Sequence, residues 1–113
     1  MVGTWRPSIA TFNGKHNQVK GMVLIVLYLH GGRGLSLEEI TKRTGQNYQT
    51  ISNSFKKWVR FKLIVKRVGL YKNRPSWLYS IAAGGVHYVK DVIPPEKYQQ
   101  WVKEIEEVKK NVA

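Results

Sequence analysis

Residues 35–67 read LSLEEITKRTGQNYQTISNSFKKWVRFKLIVKR, and this stretch decides the fold. Ser36, with Glu39 three residues later, forms a capping box that predicts a short helix. Gly45 ends that helix, and Asn47 supplies the N-cap of a longer one. The β-branched residues near the end of the stretch are typical of a strand. The stretch therefore predicts a helix-turn-helix that continues into a β-hairpin, or wing.

The second helix, predicted from Tyr48 to about Lys62, has two unlike faces. At about 100° per residue, a row of amide and cationic side chains falls within roughly 60°: Gln49, Asn53, Lys56 and Arg60. The apolar positions lie on the opposite side: Ile51, Phe55 and Trp58. Asn and Gln can bond adenine edges bidentately, whereas Lys and Arg bind guanine or phosphate. This pattern predicts a helix that enters the major groove of duplex DNA.

Two segments after this helix predict the hairpin. Residues 63–68 and 76–82 are rich in β-branched and aromatic side chains. The link between them, residues 69–75, is expected to be a turn-rich loop. Its polar side chains are Lys72, Asn73 and Arg74. Such a wing would reach phosphates or a flanking minor groove.

A buried helix is expected before the decisive stretch. Asn17 can cap it, and its apolar residues recur at steps of three and four until Gly31 and Gly32 end it. Residues 1–16 show no such periodicity and are expected to form an extended arm. The arm has two open roles, since Arg6 and Lys15 could contact DNA or the segment could cover the core or a subunit neighbour.

A short helix over residues 83–92 and a last helix after Pro94 and Pro95 complete the chain. The last helix has a narrow apolar seam on an otherwise charged surface. We expect this seam to form a homodimer interface, with packing inside the same subunit as the alternative. The residues predicted for dimerisation are Tyr98, Trp101, Val102, Ile105 and Val108.

Charge is distributed unevenly along the 113 residues. The net charge is +12, and residues 1–90 contain fifteen Lys and Arg against only Glu38 and Glu39, a net charge of +13. Residues 91–113 have a net charge of −1. A basic region of this kind predicts a polyanionic partner, because phosphate electrostatics dominate nucleic-acid affinity.

Catalytic and metal chemistry have little support in the sequence. There is no cysteine, and His16, His30 and His87 lack metal-ligand spacing. No enzyme activity, metal or cofactor is expected. The longest apolar run, residues 22–29, is too short to cross a bilayer, and the first residues lack the apolar centre of a signal peptide. We therefore expect no membrane association and a cytoplasmic, nucleoid-associated location.

The register of these residues resembles the winged helix-turn-helix regulators of the MarR, ArsR and PadR kind, over residues 17–92. Gly45 stands at the turn glycine, Asn47 at the capping position and Ile51 at the buried β-branched position of the recognition helix. LIVKR stands where these families carry a GLVxR run, although Lys62 replaces the usual preceding glycine. The resemblance implies a recognition helix that reads the major groove. The positions implied are Tyr48, Gln49, Thr50, Ser52, Asn53 and Lys56.

These observations predict an α+β, mainly α, fold: a winged helix-turn-helix over residues 17–93 and a C-terminal helix over residues 94–113. The predicted function is sequence-specific binding of double-stranded DNA as a transcriptional regulator. The alternatives are a chromosome-organising, plasmid partition or replication protein that coats DNA with low specificity, and a protein interaction module. The predicted DNA contacts are Tyr48, Gln49, Thr50, Ser52, Asn53, Lys56, Lys57, Arg60, Arg67, Lys72, Asn73 and Arg74.

Overall fold

The structure, a computed structural model, describes residues 14–112, with the side chains of residues 111 and 112 left out. The described part contains five α-helices and one antiparallel hairpin. In chain order these are α1 (Lys15–His30), α2 (Leu37–Thr44), α3 (Tyr48–Arg60), β1 (Ile64–Tyr71), β2 (Arg74–Ile81), α4 (Ala83–His87) and α5 (Pro95–Val112). A π-helical turn, Tyr88–Val92, continues α4. The predicted fold class is confirmed.

The helix-turn-helix is held by the predicted caps. Ser36 Oγ accepts from the Glu39 amide at 3.2 Å, and Glu39 Oε1 accepts from the Ser36 amide at 3.1 Å. Asn47 Oδ1 accepts from the amides of residues 49 and 50 at the start of α3. Gly45 takes the left-handed conformation, φ +68°, that lets the chain reverse between α2 and α3. Local side-chain chemistry therefore sets the angle at which α3 is presented.

Helix α1 forms the centre of the core and begins earlier than predicted. Gly14 rather than Asn17 occupies the N-cap position and contributes no side-chain hydrogen bond. The Gly14 carbonyl accepts from the Gln18 amide at 3.1 Å, so Asn17 lies inside the first turn. Lys15 and His16 are thus helical rather than part of an extended arm, and residues 1–13 of that predicted arm lie outside the described residues.

Helix α5 packs across α1 and α2 of its own chain. Trp101 is 1% exposed, and its ring lies over Gly21, where any side chain would overlap it. Val108 lies against Gly45, and Gln18 Nε2 donates to Glu104 Oε2 at 3.1 Å. The seam of the last helix is therefore used, at least in part, inside the subunit. The proposed boundary at residue 93 remains a prediction.

The hairpin is longer and its loop shorter than predicted. Pairing continues to Tyr71 and Arg74, which leaves only Lys72 and Asn73 as the turn. Both turn residues have positive φ, +54° and +63°, as in the two-residue turns that match strand twist. Pro75 pairs with residue 70, one step beyond the pair that closes the turn. Because hydrogen-bonded and non-hydrogen-bonded pairs alternate, its missing N–H costs no ladder bond there.

Candidate nucleic-acid interface

Helix α3 presents its polar face to solvent because its apolar face is anchored in the core. Ile51, Phe55 and Trp58 are buried, and the Phe55 ring meets Tyr79 of β2 edge-on at 4.4 Å between centroids. That contact fixes the rotation of α3 about its own axis relative to the hairpin. The opposite face carries Gln49 and Asn53, both exposed, with Gln49 Nε2 donating to Asn53 Oδ1 at 2.9 Å. The two amides therefore form one preorganised pair.

The other residues predicted on α3 lie around this pair. Exposed positions are Tyr48, Thr50, Lys56, Lys57 and Arg60, whereas Ser52 is half-buried. Tyr48 is 54% exposed at the first residue of the helix, although it is a large aromatic side chain. The three cations occupy the second half of α3, where they also compensate the negative end of the helix dipole. The face thus combines hydrogen-bonding groups at one end with positive charge at the other.

The predicted wing residues divide into free and engaged groups. Asn73 and Arg74 are exposed at the tip. Arg67, in contrast, donates from Nη2 to the carbonyl of Gly32 at 2.8 Å and ties the wing to the loop after α1. Lys72 Nζ lies 3.4 Å from Glu38 Oε1, so a carboxylate of α2 reaches the tip of the wing. Both contacts join residues that are far apart in sequence, so no local sequence pattern predicts them.

Glu38 is the acidic centre of this region. Its Oε1 also lies 3.3 Å from Lys42 Nζ, one turn further along α2. Hydrogen bonds from Lys42, and secondarily from Lys72, lower the pKa of Glu38, while the hydrogen bond to Glu38 raises the pKa of Lys72. Both shifts favour the charged forms of Glu38 and Lys72. The i, i+4 spacing of Glu38 and Lys42 could have revealed the first of these pairs.

The outer half of the wing bears an apolar surface that the sequence did not single out. Val68, Leu70 and Trp77 belong to one face of the hairpin and are 63%, 70% and 49% exposed. Lys66 Nζ lies 4.3 Å from the centroid of the Trp77 ring on the same face. Lys66 is thus a further exposed cation of the wing. Successive side chains of a strand point to opposite faces, so counting from buried Ile64 would have placed Lys66 on this face.

The seam residues of α5 lie mainly against their own subunit. Trp101 is buried, and the remaining four are partly buried: Tyr98, Val102, Ile105 and Val108. Beside Ile105, a cleft of about 670 Å³ opens between the C-terminal halves of α1, α2 and α5. Leu29 lines this cleft and is 56% exposed. This is where apolar surface of α1 and α5 remains accessible.

No cluster of three or more His, Asp or Glu side chains among residues 14–112 is arranged to hold a metal ion. None of the helices described is both long and apolar enough to pass through a membrane.

Several solved structures of MepR from Staphylococcus aureus are similar to this chain. A MepR mutant bound to an oligodeoxyribonucleotide is 25% identical, with a TM-score of 0.55, over 82% of this chain and 62% of that one. A MepR mutant from a multidrug-resistant clinical isolate is 26% identical, with a TM-score of 0.58, over 88% of this chain and 77% of that one. The MepR–DNA complex is 19% identical, with a TM-score of 0.57, over 93% and 83%.

This chain therefore spans slightly less than two thirds of the first of these structures. No protein-family profile and no curated protein matches the chain. MepR is a MarR-family winged-helix transcription regulator, and the structural match agrees with the resemblance seen in the sequence. The chain has the winged helix-turn-helix fold of the MarR type.

Proposed function

We propose that this protein is a transcriptional regulator that binds double-stranded DNA with sequence preference and without enzymatic activity. Helix α3 would enter the major groove, and the tip of the wing would contact the backbone or an adjacent minor groove. The observation that carries the proposal is the exposed amide pair of Gln49 and Asn53, held on a helix whose other face is buried. The similarity to MepR, which has been solved with DNA, supports the same function. A DNA-bound location in the cytoplasm follows.

The chemistry of α3 assigns separate tasks to its two ends. The amide pair can offer donors and acceptors to base edges, whereas Lys56, Lys57 and Arg60 suit phosphate. Tyr48, Thr50 and Ser52 lie around the amides and would add contacts to bases or sugars. Phosphate contacts set orientation and affinity, and base contacts set preference. The two roles therefore predict different consequences of mutation.

Replacing Gln49 and Asn53 by Ala tests the proposal. Each lost bidentate contact should reduce discrimination between a selected site and random duplex by about 1 to 3 kcal/mol. The salt dependence should barely change, because no phosphate contact is lost. Gln99→Ala is the matched control, since it removes an exposed amide on α5, where Gln99 lines a cleft with Tyr28 and Val89. A double variant with the wild-type ratio of specific to random binding would exclude α3 as the reader.

A second candidate is a DNA-coating protein with low sequence preference. It is favoured by the hydrogen bond between Gln49 and Asn53, which already uses one donor and one acceptor that base edges require. The many exposed cations of α3 and the wing also favour binding without sequence preference. Footprinting on genomic DNA separates the two candidates, because a regulator protects discrete sites and a coating protein protects extended regions.

We propose further that the protein is a homodimer in which α5 takes part. Since Trp101 is buried in its own chain, the contact would use the half-buried residues Val102 and Ile105 together with exposed Leu29, which lines the same cleft as Ile105. Leu29→Glu should then lower the mass measured by sedimentation equilibrium. Leu70→Glu, which is exposed on the wing, is the control and should leave the mass unchanged. A wild-type chain that sediments as a monomer at all concentrations excludes the dimer.

A further inference from the structure

One carboxylate occupies a position where the proposed function would place a DNA phosphate. Glu38 Oε1 lies within 3.4 Å of Lys72 Nζ at the wing tip and within 3.3 Å of Lys42 Nζ on α2. The contact with Lys72 joins residues 34 apart in sequence and links the wing to the first turn of α2. We propose that Glu38 competes with DNA phosphate for Lys72 and so weakens binding to random duplex. This inference rests on the proposed function.

The fold itself does not require Glu38. Residues 1–90 contain two acidic residues, and the other one, Glu39, closes the capping box through the Ser36 amide. Glu38 makes its described contacts only with the two lysines. Its carboxylate therefore changes the local charge but does not cap α2. The charge lies where the wing meets the helix-turn-helix.

The strength of the contact suits reversible competition. The side chains of Glu38 and Lys72 are 48% and 64% exposed, so an approaching duplex can reach both. Exposed ion pairs of this kind are weak, because both partners are solvated and screened by salt. A phosphate placed at hydrogen-bond distance from Lys72 can replace such a pair, whereas a loosely bound phosphate cannot. The ion pair thus opposes each complex in which Lys72 must leave Glu38 to bind phosphate.

The wing-tip geometry makes Lys72 suitable for exchange between two anions. Lys72 and Asn73 form the whole turn, and both have positive φ, so the strands keep the backbone in place while the lysine side chain remains long and exposed. Lys72 Nζ also lies 5.2 Å from the centroid of the Tyr71 ring, a second weak contact on the same strand end. Moving Nζ from Glu38 to a phosphate therefore needs only side-chain rotation.

Comparison of Glu38→Gln with Glu39→Gln provides the test. Both variants remove one negative charge from adjacent positions, and glutamine at position 39 can still close the capping box. Glu38→Gln should bind random duplex about 1.4- to fivefold more tightly than Glu39→Gln, which is the range expected for loss of an exposed ion pair. If Lys72 gains one phosphate, the plot of log K against log salt should steepen by about 0.9. Binding to a selected site should tighten at least as much, because the wild-type protein must break the ion pair there before Lys72 can bind phosphate.

The contact can also be measured without DNA. Side-chain methylene order parameters of Lys72 in the free protein should fall in Glu38→Gln and stay unchanged in Glu39→Gln. In a Lys72→Met background, Glu38→Gln should increase the affinity for random duplex by a smaller factor. Any increase that persists would come from the release of Lys42, the other lysine that Glu38 contacts.

The outcomes separate this inference from the proposed function. Wild-type protein that binds no duplex at any salt concentration refutes the proposed function, and competition with DNA fails with it, even where the order parameters reveal the contact. Wild-type protein that binds duplex, with equal affinities and salt slopes for the two glutamine variants, refutes the role of Glu38 alone. Order parameters that do not respond to Glu38→Gln refute it as well.

Discussion

Substituting Gly21 by Ala should destabilise the protein, although alanine is ordinarily the better residue inside a helix. The new Cβ would lie 2.6 Å from Cε3 and 2.9 Å from Cη2 of Trp101, well inside the separation of about 3.5–4.0 Å at which carbon atoms attract. The Trp101 ring is 1% exposed and so has little room to move.

The expected magnitude follows from two opposing terms. Replacing a mid-helix glycine by alanine stabilises a helix by about 0.8–1 kcal/mol. Overpacking a core costs about 1–3 kcal/mol, and an overlap with a ring suggests the upper end. The net loss is therefore about 2 kcal/mol, which corresponds to a decrease in Tm of roughly 8 °C for a domain of this size.

Thermal and urea denaturation of Gly21→Ala measure the effect, and Gly32→Ala is its control. A Cβ at Gly32 meets nothing within 4 Å, and this residue has no positive φ, so the control should be neutral or slightly stabilising. In a Trp101→Leu background, Gly21→Ala should no longer lower the free energy of unfolding, because the smaller side chain leaves space for the methyl group. If Gly21→Ala were as stable as Gly32→Ala, Trp101 would not pack on α1 as described.

Three further effects follow from single contacts. Ser36→Ala breaks the capping box and should cost about 1 kcal/mol in urea unfolding, whereas the spectrum of the folded state stays the same. Lys62→Gly should leave the free energy of unfolding unchanged or raise it by about 0.5 kcal/mol in thermal unfolding. Glycine relieves the left-handed conformation at φ +60°, and this gain slightly exceeds the cost of a more flexible unfolded chain. A clear loss of stability would mean that the lysine side chain itself stabilises the turn. Burial raises the pKa of Tyr88 to about 12, above its unfolded value. The resulting stability is present below pH 10 and should decline between pH 10 and 12, where the unfolded chain loses the proton first. Tyr88→Phe should flatten that decline when the free energy of unfolding is measured over a pH series.

Short-range chemistry made part of this structure predictable. The capping box, Asn47 and Gly45 act over three or four residues, so their consequences can be read from neighbouring letters, and the structure confirms all three. Lys62 is a second example of a local conformation that the sequence indicated. It occupies a left-handed position where related folds usually have glycine, and the resemblance had marked that position.

The errors arose where a residue's effect depends on a distant partner. Pro75 was interpreted as part of a loop, yet it is tolerated in β2 because its pairing position requires no N–H toward β1. The contact between the Arg67 guanidinium and a carbonyl 35 residues away could not be predicted for the same reason. The DNA-contact role of the predicted residues, Arg67 included, remains a prediction, because the fold shows which side chains are exposed but not what they bind.

The packing of α5 on α1 also sets an order of events during synthesis. Gln18 and Glu104 are 86 residues apart, and at about 5–20 residues per second the ribosome needs roughly 4–17 s to travel between them. For that time the position over Gly21, just before the apolar run of residues 22–29, lacks the tryptophan ring that later packs there. A nascent chain therefore keeps this part of α1 uncovered until residue 101 has been synthesised, and a ribosome stalled within the wing would carry a polypeptide whose α1 has no α5 to pack against.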